Sequence, residues 1–291
     1  MEKALVLGGT RFFGIHLVEA LLQRGVDVTV ATRGETSDPF GDRVSRIKID
    51  RSNLDAYKEE LQATKWDVVY DQICYSSEDA MEAIEVFSGV TDRYILTSTL
   101  SVYDGKPTAL KEEDFDPYAY EIIRGDREAF SYQEGKRQAE AVFFQRAPFE
   151  VVAVRIPIVM GINDYTERLL FHVNKVSQKQ EIFFTNLSSA MNFIPETEAG
   201  DFLAWMGQTD FTGPINACSN GSITLRELLS LIEESTGNKA VLAATQDEKN
   251  ESPYNVPSSW TMDNQKAKSI GYPFKELRSW LPSLIDTIAV K

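Results

Sequence analysis

The chain has 291 residues, enough for one large α/β unit or for a nucleotide-binding domain with a smaller partner. Hydrophobic residues make up 43% and charged residues 25%, the usage of an ordinary globular fold, and no apolar run is long enough to span a bilayer. A formal net charge of −14 repels polyphosphate backbones and anionic lipid, which argues against a nucleic-acid or membrane role while leaving local basic residues free to bind small anions.

Met1, Glu2 and Lys3 run directly into "ALVLGG", so no secretory leader is read and a cytoplasmic location is the default expectation. From there "KALVL", "DVTVA", "SRIKID", "WDVVYDQ", "RYILT" and "FEVVAVR" alternate with segments of helical period. Short, nearly continuous apolar runs of this kind are parallel strands covered on both faces, which predicts an α/β fold built on a Rossmann-type doubly wound parallel sheet. The first helix carries Leu17, Val18, Leu21 and Leu22 on one face, and Gly25 is placed to end it. The acidic run "KEEDFDPYAYE" reads as a solvated loop beside the cleft.

Beyond about Arg155 the elements shorten. "GINDYTERLLFHVNKVSQ" reads as a loop and a helix, "EIFFT" as a strand, "GSITLRELLSLIEESTGNK" as a helix opened by Thr224 and closed by Gly237, and "FKELRSWLPSLIDTIAV" as a terminal helix. The expected organisation is a nucleotide-binding domain over 1–158 and a smaller, mainly substrate-binding lobe over 159–291, with some segments returning to the first domain. Cys74 and Cys218 show neither metal spacing nor a disulfide framework and read as small buried hydrophobes; His16 reads as a packing or solvent residue. No metal site is read.

"VLGGTRFFG" follows a strand and opens a helix, the context in which glycines let a turn hold a pyrophosphate against a helix start. Gly8, Thr10, Arg11, Phe12, Phe13 and Gly14 are therefore assigned to a dinucleotide cofactor, NAD(P). About eighteen residues beyond Gly14, where NAD-binding strands usually end in Asp or Glu, this chain has Thr32 and Arg33. A guanidinium there suits a 2′-phosphate, and Arg11 is a candidate second arm, so NADP is favoured over NAD.

In "SYQEGKRQAEAVFF" Tyr132 and Lys136 are four apart and share one helical face. A free phenol titrates near about 10 and is a poor base at neutral pH, but an adjacent ammonium and an oxidised nicotinamide favour the phenolate. Such a pair can take a proton from a substrate hydroxyl during hydride transfer, with Thr99 of "YILTSTLSVYDG" bonding the same oxygen.

The order of glycine loop, "TSTLSVY", Tyr-x-x-x-Lys and "VRIP", followed by "MNFIPETEAGDFL" and "GPINACSNGSITLRELLSLIEESTG", resembles the extended short-chain dehydrogenase/reductase superfamily of the NAD-dependent epimerase/dehydratase type over essentially the whole chain. The resemblance implies Thr99 as the active-site hydroxyl, Tyr132 as acid/base and Lys136 on the nicotinamide ribose. It implies Asp50 and Arg51 in the adenine loop, Ile73 and Cys74 as the small pair under the cofactor, and Pro157 with Ile158 beside the nicotinamide. Leu100 and Ser101 stand where dehydratases carry Asp-Glu, which argues against water elimination; Met191 stands where nucleotide-sugar enzymes carry a diphosphate-binding arginine, which argues against such substrates. Asn163, Arg168, His172 and Asn192 are the candidate substrate residues of the second lobe. The "GGTR" form resembles a divergent branch with isoflavone-reductase-like members and chloroplast stem-loop RNA-binding proteins, so a non-catalytic cofactor sensor or RNA-associated protein is the alternative to a small-molecule oxidoreductase or epimerase. Relatives often pair through helices, which leaves a homodimer open.

Overall fold

Apolar runs with no polar side can be buried only in strands covered on both faces, and the computed structural model, which describes residues 1–51 and 53–290, puts them there. Strands β1 (Lys3–Leu7), β2 (Asp27–Thr32), β3 (Ser45–Lys48), β4 (Val68–Asp71), β5 (Arg93–Thr99), β6 (Glu150–Ile156) and β7 (Gly213–Asn216) form one parallel sheet in the order β7-β6-β5-β4-β1-β2-β3. Its helices are α1 (Phe13–Gln23), α2 (Leu54–Gln62), α3 (Ser77–Phe87), α4 (Tyr132–Arg146) and, after α5 (Arg168–Ser177) of a separate unit, α6 (Glu196–Met206). This is the α/β Rossmann arrangement. The chain leaves β1 toward β2 on one side and reaches β4 on the other, so a crevice opens at the carboxyl ends of β1 and β4.

The sheet belongs to a unit made of Met1–Asp104, Glu112–Ile156 and Glu196–Ala217. Leu5, Leu7, Val69, Tyr94, Leu96, Ala139, Val142 and Phe143 fill the core on one side of it. Elsewhere in the unit, Leu17, Val18 and Leu21 form the buried stripe of α1, which packs against α6 so closely that a Cβ on Gly200 would stand 2.5 Å from the Leu17 nitrogen.

The acidic run departs from the solvated loop expected of it. Glu112 is buried and its carboxylate accepts the Asn216 N–H at 2.8 Å, Phe115 is buried, and the Gln145 amide donates to the carbonyls of Pro117 and Tyr120 at 2.9 and 2.8 Å. Residues 116–131 form a strap pinned along α4, held by aromatic and proline positions that the surrounding charges conceal in the sequence.

A second unit comprises Gly105–Lys111, Pro157–Pro195 and the chain from Cys218 onward. Here α5 packs with α7 (Leu225–Thr236) and the C-terminal helix Leu277–Ala289 around Val173, Leu228, Ile232, Leu281 and Ile285. Thr224 and Glu227 close a capping box at the start of α7, and Gly237 ends it with φ +66°, as the sequence leads one to expect. The strand expected in "EIFFT" shortens to Glu181–Ile182, paired with Val241–Leu242. Among the described residues no helix is long and apolar enough to cross a membrane.

Candidate active site

The glycine turn lies at the mouth of the β1/β4 crevice. Gly8 and Gly9 have φ of +93° and +85°, and a Cβ on Gly14 would stand 2.5 Å from the Gln72 side-chain oxygen and 2.8 Å from the Gly9 Cα. Phe12 holds φ 51° and ψ −133°, strained for a residue with a side chain, while the Gly14 N–H closes a tight turn onto the Arg11 carbonyl at 3.0 Å. Among the described residues no side chain caps α1 and no acid sits in its first turn, so its N–H groups and positive dipole end face outward unneutralised. Beneath the turn the buried Gln72 amide nitrogen has no partner among the described residues. A cradle that a Cβ would fill, an uncapped helix start and an orphaned buried donor fit a dinucleotide pyrophosphate.

At the end of β2, Thr32 accepts the Gly34 N–H at 3.1 Å. Arg11 donates to the Thr36 hydroxyl at 3.0 Å, so both expected clamp residues border one loop. Arg33, however, pairs with the carboxylate of Glu35 at 2.9 Å. Asp50 is exposed after β3. Arg51, the other residue expected in the adenine loop, has a nearly buried guanidinium that bonds Asp71 at 2.9 Å and the Asp79 carbonyl at 2.7 Å and lies over the Tyr57 ring. Burial opposes its charge, but Asp71 more than restores it. The pair braces the site from below, since Asp71 also accepts the Tyr94 hydroxyl at 2.6 Å and the Ile73 N–H at 2.8 Å, fixing the backbone under the crevice. Cys74 follows, buried, with its thiol pushed up by burial and so inert.

Tyr132 is the first residue of α4, whose Ser131 cap accepts the Glu134 N–H at 3.2 Å. It is 56% exposed, whereas Lys136, one turn on, is 2% exposed. The Lys136 ammonium donates to the carbonyls of Cys74 and Thr97, both at 2.8 Å, which ties α4 to the ends of β4 and β5. Tyr75 packs beside both residues, its ring centre 4.5 Å from the Lys136 nitrogen and 6.4 Å from that of Tyr132. That approach requires Gly135, since any Cβ there would collide with the Tyr75 carbonyl. Thr99 ends β5, buried, and accepts the Ser101 N–H at 3.1 Å, which leaves its O–H to donate.

Below it Ser98 donates to Glu140, and Glu140 pairs at 2.6 Å with Arg155, which is 0% exposed and also bonds Tyr103 at 2.9 Å. This network holds the end of β5, and only the type of its residues is visible in "TSTLSVY" and "VRIP".

In the second unit Pro157 is buried, Ile158 half-buried and Asn163 exposed, and Arg168 opens α5. Asn192 is buried, donates to the Met262 carbonyl at 2.8 Å and the Cys218 sulfur at 3.2 Å, and accepts the Met262 N–H at 3.3 Å, so both of its amide donors are engaged within the unit. His172 is likewise structural. Its Nδ1 donates to the Arg168 carbonyl at 2.7 Å, its Nε2 accepts from Ser252 at 2.7 Å, and its ring stacks on Tyr254. Burial pushes its pKa down to about 4 against the opposing pull of the Arg168 carbonyl. Gln72, Tyr75 and Asp71 escaped the sequence reading, although they flank the Ile73-Cys74 pair and adjacency alone could have flagged them. No group of three or more His, Cys, Asp or Glu is arranged to hold a metal among the described residues.

Residues 4–214 match the NAD dependent epimerase/dehydratase family. The chain belongs to that family. Among curated proteins, similarity extends to the chloroplast stem-loop binding protein of 41 kDa b of Arabidopsis thaliana, 35% identical over 115 residues, or 35% of this chain and 30% of that protein. It extends also to the 2′-dehydrokanamycin reductase of Streptomyces kanamyceticus, 31% identical over 99 residues, or 34% of this chain and 28% of that protein. Both matches thus span less than a third of the relative's length. Among solved structures, the UDP-glucuronic acid 4-epimerase of Bacillus cereus, in complex with UDP-glucuronic acid and NAD, superposes with TM-score 0.74 at 20% identity over 98% of each chain. The Thermus thermophilus UDP-glucose 4-epimerase in complex with NAD gives TM-score 0.71 at 16% identity over 98% of each chain. These likenesses establish the epimerase-type fold, and the family makes this an NAD-dependent epimerase/dehydratase-type protein.

Proposed function

We propose that the protein is an NAD(P)-dependent oxidoreductase or epimerase that acts at a secondary alcohol or ketone of a small, sugar-derived molecule through Thr99, Tyr132 and Lys136. The observation that carries this reading is the buried Lys136 ammonium, fixed between the Cys74 and Thr97 carbonyls one helical turn from a solvent-facing Tyr132. The chemistry supplied by a bound nicotinamide is acceptance and return of hydride. Tyr132 takes the substrate hydroxyl proton or gives it back to a ketone oxygen, and the Thr99 O–H steadies that oxygen. Lys136 has a third N–H beyond its two carbonyl partners, which would bond a ribose hydroxyl of the cofactor. Gly8 to Gly14 and Gln72 hold the diphosphate, with Ile73 and Cys74 beneath. Asn163, exposed, and Arg168, at the start of α5, are the proposed substrate residues of the second unit. A reductase among the relatives supports reduction as one direction, and Met191, buried where a diphosphate-binding arginine is expected, supports a substrate without a nucleotide.

Fluorescence titration with NADH and NADPH, followed by a screen of ketones, alcohols and sugar nucleotides, tests the reading. Tyr132→Phe is expected to keep cofactor affinity within about twofold and to lose about 10²–10⁴ in turnover, the worth of a positioned acid/base. Unchanged turnover in that variant refutes the mechanism.

A further inference from the structure

On the Tyr75 ring, which packs beside Tyr132, stands a second cation that the proposed reaction leaves unused. Arg127 lies in the strap of residues 116–131, in a short turn capped by the Asp126 carboxylate, which accepts the N–H groups of Glu128 and Ala129. The strap is anchored close by: Ser77 accepts the Gly125 N–H at 2.9 Å and donates to the Ile123 carbonyl at 2.8 Å, and Gln138 accepts the Ile123 N–H at 2.8 Å. The Arg127 guanidinium carbon sits 4.5 Å from the centre of the Tyr75 ring, the same ring that borders Lys136 and Tyr132. Neighbouring arginines are neutralised: Arg124 by Glu78 at 3.2 Å, Arg137 by Asp104 at 2.7 Å, Arg155 by Glu140. Arg127 is exposed and makes no ion pair or side-chain hydrogen bond among the described residues.

In a chain with a net charge of −14, carboxylates to pair with are plentiful, yet this guanidinium is held by stacking alone. Stacking spends the face of a guanidinium and leaves its edge, with five N–H donors, available for a planar or tetrahedral oxyanion. The pyrophosphate cradle is at the start of α1, whereas Arg127 opens the short turn Arg127–Ala129 that precedes α4, on the ring that packs beside Tyr132, to which the reacting carbon of a substrate must come.

We propose that Arg127, held over Tyr75, binds an anionic group of the substrate, a carboxylate or a phosphate, and so makes this an enzyme of anionic hydroxy or keto compounds. The proposal rests on the Thr99-Tyr132-Lys136 reading for the reaction, while the anion subsite itself stands on the strap and the stacked ring.

The test follows the arginine side-chain Nε–H resonances of ¹⁵N-labelled protein during titration with acetate and with inorganic phosphate, with and without saturating NADH. The Arg127 signal is expected to shift saturably with one or both anions while that of Arg124 does not. Tyr75→Ala, which removes the ring, is expected to weaken that affinity about tenfold, and Tyr75→Phe, which keeps it, to change it by less than about twofold. In the substrate screen, Arg127→Gln is expected to raise KM for an anionic substrate about tenfold with kcat little changed and NADH affinity intact. Whichever anion shifts the signal names the group. Absence of a saturable shift with either anion overturns the proposal, as does a loss of NADH affinity in Arg127→Gln, which would assign the residue to the cofactor. Failure of every compound to turn over while the shift persists sinks the reaction and spares the subsite.

Discussion

Glu35 decides what Arg33 can do. Their 2.9 Å pair is about two-thirds exposed on both sides, and exposed pairs of this kind are worth about 0.2–1 kcal/mol, so a phosphate dianion can displace the carboxylate while a ribose hydroxyl has no need to. Glu35 also suits NAD over NADP, since a carboxylate accepts from ribose hydroxyls and repels phosphate. Glu35→Gln is therefore expected to tighten NADPH by about two- to fivefold, the range that pair energy allows, with NADH unchanged or slightly weaker. Parallel fluorescence titrations of the two cofactors check it. Equal shifts for both would remove Arg33 from cofactor choice.

Among elements, the turn from β1 into α1 is the most exacting. A Cβ on Gly14 meets not only the movable end of Gln72 but the Gly9 backbone at 2.8 Å, so Gly14→Ala must push the start of α1 off the sheet. Overpacking of this sort costs about 1–3 kcal/mol, and because the displaced N–H groups are those proposed to hold the diphosphate, NADH affinity is expected to fall at least about tenfold by titration. Gly105→Ala, with open space around its Cβ, is the matched control and is expected to leave affinity unchanged. Phe12 illustrates the opposite balance. Replacing it by Gly relieves strain of about 1–3 kcal/mol but removes a buried ring worth about 3–5 kcal/mol, so the strained aromatic is the more stable choice.

These cases explain what could be read in advance. The glycine turn, the Tyr132–Lys136 spacing and the cap at Thr224 are local, set within one turn or helix, and periodicity exposes them. The contacts of Arg51, Asn192 and Glu112 were not legible because their partners, Asp71, Met262 and Asn216, lie 20, 70 and 104 residues away, and no local pattern announces a long-range hydrogen bond.

Element packing also sets a pH dependence. His172 of α5 is neutral in the folded state down to about pH 4 because it is buried, while the unfolded chain takes up that proton near 6.5. Between those values the unfolded form binds more protons, so stability falls as pH falls, by about 2 kcal/mol from pH 7 to pH 5, and is fully retained above about pH 7. Urea unfolding at both pH values checks this. His172→Gln, whatever its overall stability, should lack that increment, and an equal slope in wild type and variant would show that the proton is taken up elsewhere.

At the scale of the whole molecule the question is whether the stem-loop binding relative predicts RNA binding here. Affinity for RNA comes chiefly from Lys and Arg neutralising phosphates, and it carries a steep salt dependence in proportion to their number. This chain sets 44 acidic against 30 basic side chains. Many of its arginines, among them Arg43, Arg46 and Arg137, are already bound to carboxylates, so each phosphate contact would first have to break an ion pair. The shared segment covers 115 residues, and a fold shared at that level does not carry a binding surface with it. The expected result of an electrophoretic mobility assay with a structured RNA hairpin at about 150 mM salt is therefore no shift at protein concentrations up to about 10 μM, within the range where even non-specific binders begin to associate. A shift below micromolar protein that weakens steeply with added salt would mean that a local basic surface outweighs the net charge, and would favour an RNA-associated role over the proposed oxidoreductase or epimerase.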